Sequence, residues 1–90
     1  MNKVCCGNRL KMLRNERELS IEMLVLDINS RYLADSDKPL NQSMVSRWEN
    51  NINDPSLRQV ALLAQYYNVS VDFIIGLTDK RAPMRLIHKG

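Results

Sequence analysis

Start and stop signals for short helices recur along this chain and constrain its fold more than any other feature. Four polar residues precede apolar runs as helix N-caps do: Ser20, Asn41, Ser56 and Ser70. The runs end at residues that tolerate the left-handed conformation common just beyond a helix: Asn50, Asn51, Asn68 and Gly76. Between these signals, apolar residues recur three or four positions apart, and no alternating strand pattern of useful length appears. The sequence therefore predicts a compact all-α domain of five short helices.

We expect these helices at residues 8–16, 20–33, 41–50, 57–67 and 71–75. The fourth begins with a capping box, in which Ser56 is followed three residues later by Gln59. Its predicted apolar face comprises Leu57, Val60, Ala61, Leu63, Ala64 and Tyr67. The chain then divides into an N-terminal arm (residues 1–7), a helical domain (8–77) and a basic C-terminal tail (78–90).

Length and composition limit the class of protein. Ninety residues with 44% apolar content suit one small globular core. No apolar run approaches the roughly 20 residues that cross a bilayer, and no hydrophobic signal segment follows Met1, so we expect a cytoplasmic protein without a membrane partner. The adjacent Cys5 and Cys6 are then reduced and incidental. With His88 the only histidine, we expect no metal, no cofactor, no small-molecule substrate and no enzymatic activity.

Charge is distributed unevenly along the chain. Residues 1–17 hold five bases and one acid, and residues 80–90 hold four bases and no acid. The intervening residues 18–79 hold four bases and nine acids. Basic ends suit contacts with phosphates, although short terminal charge runs are also compatible with simple solvation.

The central helix, around residues 41–50, has two distinct faces. Val45 and Trp48 point one way, because residues three apart share a helix face. The opposite face carries Gln42, Ser43, Ser46 and Arg47, with Met44 at its margin. That face has no acid and offers amide, hydroxyl and guanidinium groups, which hydrogen-bond base edges. From these residues alone, a DNA recognition helix and an ordinary amphipathic surface helix both remain open.

Three stretches occur in a characteristic order: residues 9–14 with Leu19-Ser20, residues 45–51 with Pro55-Ser56-Leu57, and residues 63–76. In this order they resemble the Cro/CI-type helix-turn-helix family of phage and bacterial transcription regulators, the lambda-repressor-like domains. The resemblance covers residues 7–76. It implies a transcription regulator, more often a repressor than an activator, that binds double-stranded DNA at an operator-like site as a homodimer.

The resemblance also implies roles for particular residues. The base-contacting positions are Gln42, Ser43 and Arg47, with Met44 and Ser46 able to reach a thymine methyl group or a phosphate. The phosphate-contacting positions are Asn41, Asn50, Asn51, Asn53 and Arg9. Arg14 and Glu49 occupy the positions of a buried ion pair between the first helix and the recognition helix, and Val45 and Trp48 belong to the core.

Two departures from the family pattern affect this interpretation. Ile21 stands where the family usually has a glutamine that reaches a phosphate, so that role is not transferred. The connection between the second and third helices, within residues 29–39, holds about ten more residues than the family's tight turn. We expect a longer second helix with the extra loop projecting outward, which would bring Arg31 or Lys38 toward a phosphate.

Two other functions fit the same fold. An antitoxin that regulates its own operon is one, and a protein-interaction module without specific DNA binding is the other. The acidic middle and Ile21 favour the module, whereas the acid-free polar face disfavours it. A dimer surface is expected at apolar residues near the end of the chain, namely Phe73, Ile75, Leu77, Met84, Leu86 and Ile87.

Overall fold

The computed structural model describes residues 6–82, so Cys5, Met84, Leu86, Ile87 and His88 lie outside the described residues. Its helices are α1 (Cys6–Glu16), α2 (Ile21–Tyr32), α3 (Gln42–Glu49), α4 (Leu57–Tyr67) and α5 (Val71–Ile74). Residues 6–82 contain no strand, which confirms the predicted all-α, five-helix fold. No helix within this range is long and apolar enough to cross a membrane.

Four of the helices begin at the predicted N-caps. In each case the side-chain oxygen accepts the backbone N–H three residues on, at 2.9–3.1 Å, and the caps are Ser20, Asn41, Ser56 and Ser70. The Ser56 N–H also donates to Gln59 Oε1 at 2.8 Å, which completes the predicted capping box. Each cap contributes about 1 kcal/mol to stability, so these short helices begin at defined residues.

The predicted helix ends are also present, with one addition. Asn51 and Asn68 have φ angles of 59° and 58°, and Gly76 has a φ of 87°. Glu18 has a φ of 57° in the turn after α1, where the sequence gives no asparagine or glycine to indicate a left-handed residue. A side chain with a Cβ is strained in that conformation.

The hydrophobic core lies between α3 and the helices around it. Its most deeply buried side chains come from α2, α3, α4 and α5: Leu24, Ile28, Val45, Leu63 and Ile74. Trp48 of α3 is also buried. The helix α3 packs against both α1 and α2, while α5 packs against α1 and α4. The central helix is therefore held from two sides, and its remaining face is left to solvent.

The start of α1 corrects the predicted boundary between arm and domain. The helix begins at Cys6, a buried residue of the core, so residues 6 and 7 belong to the domain and Cys6 is not incidental. Gly7 permits this because its backbone lies against the end of α3: a Cβ there would be 2.5 Å from the Trp48 carbonyl oxygen. The Gly7 N–H also donates to Asn51 Oδ1 at 3.2 Å. Glycine has a low helix propensity, so the local sequence does not indicate that α1 begins before the predicted residue 8.

Residues 77–81, here called the C-terminal strap, correct the predicted start of the tail. The strap packs back on the domain, and the Arg81 carbonyl accepts the Ser70 N–H at 2.8 Å. The Arg81 guanidinium forms an exposed ion pair with Glu16 of α1 at 2.7 Å and lies 5.3 Å from the centre of the Phe73 ring. Tertiary contacts of this kind leave no periodic signal in the sequence.

The buried face of α4 differs from the predicted one at both ends. Leu57 is 79% exposed and Ala61 is exposed. These two residues are four apart and share a side of α4 that faces solvent, whereas Val60 is buried. Tyr66 is buried instead, and its hydroxyl donates to Asp27 Oδ2 of α2 at 2.6 Å. The Tyr66–Asp27 hydrogen bond thus joins α2 and α4.

The connection between α2 and α3 is enlarged, as predicted. The helix α2 continues to Tyr32, and residues 33–41 lead to α3. Residues 34–39 are exposed, whereas Leu40 is buried in the core. The Asn29 side chain of α2 hydrogen-bonds both backbone groups of Leu40. The loop therefore projects into solvent, and the chain returns to the core immediately before α3.

Candidate nucleic-acid interface

The polar face of α3 lies on the outside of the molecule. The helix begins at Asn41, whose Oδ1 accepts the Met44 N–H at 2.9 Å. Gln42, Ser43 and Arg47 are exposed, and Met44 and Ser46 are half-buried. These are the five predicted base-contacting residues, and the helix brings all of them to one side.

The three exposed residues of this face are unoccupied. Within residues 6–82, the side chains of Gln42, Ser43 and Arg47 take part in no hydrogen bond or ion pair. The helix rises 1.5 Å per residue, so Gln42 and Arg47 are separated by about 7.5 Å along its axis. Successive base pairs are about 3.4 Å apart, so this face spans about two base-pair steps. Its donors and acceptors are free for an external ligand.

Ser46 is more restricted than its three neighbours. Its backbone carbonyl accepts the Asn50 Nδ2 group at 2.8 Å, and its hydroxyl lies 3.4 Å from the same nitrogen. Ser46 and Met44 are both half-buried and form the margin of the polar face.

The buried side of α3 fixes the helix in the domain. Val45 and Trp48 are in the core, as the sequence analysis assigned them. Next to Trp48 along α3, Glu49 forms a bidentate ion pair with Arg14 of α1. Arg14 Nε donates to Glu49 Oε2 at 2.7 Å, and Arg14 Nη2 donates to Oε1 at 2.8 Å. The Arg14 Nη1 group donates to the Leu19 carbonyl at 2.7 Å.

The Arg14–Glu49 pair is shielded from solvent, with side-chain exposures of 12% and 3%. The hydrogen bonds to Glu49 raise the pKa of the Arg14 guanidinium, although burial opposes this effect. The guanidinium therefore stays charged throughout the working pH range. Its planar fork holds the end of α3 in both distance and orientation relative to α1.

The residues predicted to contact phosphates fall into two groups. Asn53 is exposed after α3. The Asn41 and Asn50 side chains are also exposed, but Asn41 makes one hydrogen bond to α3 and Asn50 makes two, both to Ser46. Asn51 is half-buried, and its Oδ1 accepts the Gly7 N–H at the start of α1, whereas its Nδ2 group makes no hydrogen bond within residues 6–82.

Arg9 has a structural position that does not suit its predicted phosphate contact. Its Nη1 group donates to the carbonyls of Phe73 and Thr78, both at 2.7 Å, and Nη2 pairs with Asp79 at 2.8 Å. The guanidinium carbon lies 4.2 Å from the centre of the Phe73 ring. Because these contacts occupy the guanidinium, Arg9 holds the C-terminal strap against α1 and is removed from the candidate interface.

The residues around the enlarged connection add little to the site. Ile21 is half-buried and packs against the core, so it offers no polar group. Arg31 pairs with Asp27 one turn earlier in α2, at 3.2 Å. Lys38 is exposed in the loop. Within residues 6–82, no group of histidine, cysteine, aspartate or glutamate side chains could hold a metal ion.

Sequence reasoning missed two contacts that position the site. Asn29 holds the backbone of Leu40, 11 residues away, and Asn51 holds Gly7, 44 residues away. An asparagine inside a helix and one after a helix have ordinary local explanations, so neither gives a signal for a distant partner.

A short outward-facing helix, held from behind by α1 and α2, defines a compact helix-turn-helix domain. The sequence model of the helix-turn-helix family HTH_3 matches residues 10–74. The chain belongs to this Cro/CI-type helix-turn-helix family. The match includes all of α2, α3, α4 and α5 and most of α1.

A similar protein is the uncharacterized HTH-type transcriptional regulator YobD of Bacillus subtilis (strain 168), which is 33% identical over 75 residues. The matched region covers 83% of this chain and 58% of YobD. The chain thus spans little more than half the length of this relative. No solved structure matches the chain.

Proposed function

We propose that this chain is a sequence-specific regulator of transcription that binds double-stranded DNA and places α3 in the major groove. One observation carries the proposal. Gln42, Ser43 and Arg47 are exposed on one face of a helix fixed by buried contacts, and their polar groups are unoccupied. A rigid helix with free donors and acceptors can present them to bases without first breaking contacts of its own.

The chemistry of these side chains suits base edges. Glutamine can form two hydrogen bonds with adenine, and arginine can form two with guanine N7 and O6. Each such pair discriminates against the wrong base by about 1–3 kcal/mol. Asn41, Asn50, Asn51 and Asn53 lie at the two ends of α3 and are assigned to phosphates, where they would fix the position of the helix without reading sequence.

The proposed regulator binds as a homodimer to a pseudo-palindromic operator and acts as a repressor. Membership of the helix-turn-helix family supports DNA binding, and similarity to an HTH-type transcriptional regulator supports a role in transcription. Two copies on one operator would present two α3 helices about one helical turn of DNA apart, roughly 34–36 Å.

Random-site selection on duplex DNA tests the proposal. The chain should enrich one sequence, and light scattering should show two copies per bound duplex. Arg47→Ala should weaken binding to that sequence by about 10- to 100-fold, because it removes a base-reading side chain. Lys80→Ala, which removes one exposed positive charge from the C-terminal strap, is the matched control and should weaken specific and non-specific binding equally.

Failure to enrich any sequence over non-specific binding at low salt would refute DNA reading. In that case the protein-interaction module becomes the better assignment, since the net negative charge of residues 18–79 disfavours contact with phosphates. Enrichment that Arg47→Ala and Lys80→Ala reduce equally would show that charge, not base contact, determines binding.

A further inference from the structure

The enlarged connection is closed at its base by one residue, Asn29 of α2. The backbone carbonyl of Asn29 accepts the N–H of Leu33, the first residue after α2, at 3.1 Å. Its side chain holds the other end of the connection: Oδ1 accepts the Leu40 N–H at 2.9 Å, and Nδ2 donates to the Leu40 carbonyl at 3.0 Å. The chain therefore leaves Asn29 at residue 33 and returns to it at residue 40.

Leu40 determines where α3 begins. It is buried in the core, and it directly precedes Asn41, the N-cap of α3. The Asn29 amide bonds both the N–H and the carbonyl of Leu40, so it fixes the orientation of that backbone as well as its distance from α2. In this chain, the side-chain amide thus joins α2 to α3 in place of a tight turn.

The loop between the two anchored ends is separate from α3. Residues 34–39 are exposed, and their hydrogen bonds are local: the Ser36 N–H donates to the Leu33 carbonyl, and the Lys38 N–H donates to Ser36 Oγ. Within residues 6–82, no hydrogen bond or ion pair joins residues 34–39 to α3. A change in the conformation of residues 34–39 therefore cannot reach the polar face of α3 through a hydrogen bond or an ion pair.

We propose that Asn29 is the positioning residue for base reading, and that it makes the pose of α3 independent of the loop at residues 34–39. The inference rests on the proposed function, since it concerns how that function's reading helix is held. Base contacts need side chains placed to within about 0.5 Å, whereas phosphate contacts carry no sequence information. Loss of the Asn29 bonds should therefore reduce specificity more than general DNA affinity.

The test measures affinity for the selected duplex and for a scrambled duplex at the same salt concentration, with Trp48 fluorescence confirming that each variant is folded. Asn29→Ala should lower the ratio of specific to non-specific affinity on the order of 10- to 100-fold, with non-specific affinity little changed. Ser30→Ala is the matched control, because that hydroxyl bonds only the Asp27 carbonyl within α2, and it should keep the ratio. Insertion of Gly-Gly between Asp35 and Ser36 should also keep it, because the loop is closed at its base.

Two results would overturn the inference. One is an unchanged specificity ratio for Asn29→Ala, and the other is a Gly-Gly insertion that lowers the ratio as much as Asn29→Ala does. If the unmodified chain selects no DNA sequence, the proposed function fails and base positioning fails with it. Selection of a site whose recognition ignores Asn29 would refute this inference alone.

Hydrogen exchange on the unmodified full chain tests the same contact without a variant. The Leu40 amide should exchange far more slowly than the amides of Asp35 and Asp37. The Leu40 N–H donates a hydrogen bond to Asn29 Oδ1, whereas Asp35 and Asp37 are exposed to solvent. Equal exchange rates would mean that Asn29 does not hold Leu40. Asn29→Asp provides a second, milder variant that keeps an acceptor for the Leu40 N–H, and its specificity ratio should fall between those of Asn29→Ala and the unmodified chain.

Discussion

Replacement of Arg14 by methionine should show how strongly the position of α3 depends on its buried ion pair. Arg14→Met removes both hydrogen bonds to Glu49 and leaves a carboxylate that is 3% exposed. Glu49→Met performs the reverse change and leaves a guanidinium bonded only to the Leu19 carbonyl. The double variant removes both charges and replaces them with apolar side chains of similar length.

The single and double variants should differ widely in the free energy of unfolding. Breaking a buried pair costs roughly 3–5 kcal/mol, because one charge remains buried without a partner. That cost is a large part of the total free energy of unfolding of a typical domain, which is about 5–15 kcal/mol. An apolar pair avoids the uncompensated charge, so the double variant should lie within about 2 kcal/mol of the unmodified chain, including about 1 kcal/mol for the lost bond to Leu19.

Trp48 makes the measurement direct. It is the only tryptophan in the chain, is buried beside Glu49 in α3, and should change its fluorescence when urea unfolds the domain. On heating, each single variant should melt on the order of 15–30 °C below the unmodified chain. Arg31→Met serves as the control, because the exposed Arg31–Asp27 pair contributes less than about 1 kcal/mol.

Additive effects would refute this reasoning. If the double variant lost as much stability as the two single variants combined, the two side chains would act independently, and the pair would not join α1 to α3. A loss below about 1 kcal/mol for Arg14→Met would equally show that water reaches Glu49 and solvates it.

Three further changes test other parts of the structure. Gly7→Ala should lower the unfolding free energy by roughly 1–3 kcal/mol, since its Cβ would meet the Trp48 and Glu49 carbonyls at 2.5 and 2.8 Å; an unchanged melting temperature would contradict that packing. Glu18→Gly should raise the unfolding free energy, measured in urea, by about 0.5–1 kcal/mol, because glycine adopts the left-handed conformation at φ 57° without strain. Burial and the hydrogen bond to Asp27 raise the pKa of Tyr66, and burial raises the pKa of Tyr67. The unfolded chain therefore ionises first, so stability is complete below about pH 10 and falls as pH rises above it. Urea unfolding between about pH 9 and pH 11 should show this fall, and Tyr66→Phe should make it shallower.

The parts of the fold that the sequence predicted depend on local interactions. A cap such as Ser20 bonds an N–H only three residues away, so residue type and spacing are sufficient to identify it. The polar face of α3 follows in the same way from helical periodicity. The Arg14–Glu49 pair is different: periodicity left Arg14 ambiguous, and the expected partner came from family resemblance.

The contacts that the sequence did not predict connect distant parts of the chain. Tyr66 and Asp27 are 39 residues apart, and Arg9 and Thr78 are 69 apart. Each residue alone has an unremarkable local environment, so only the packed structure reveals its partner. Leu57 shows the opposite error, since periodicity placed it on the buried face although its side chain is 79% exposed.

The separation of roles within α3 has a consequence for how such a protein could change during evolution. The side chains that anchor the helix belong to Val45, Trp48 and Glu49. They are distinct from those of Gln42, Ser43 and Arg47, which make no hydrogen bond or ion pair within residues 6–82. Substitutions at exposed positions without partners usually change stability by less than about 0.5 kcal/mol. Under the proposed function, a few mutations at these positions could therefore change the DNA sequence that α3 reads while the stability of the domain stays nearly the same.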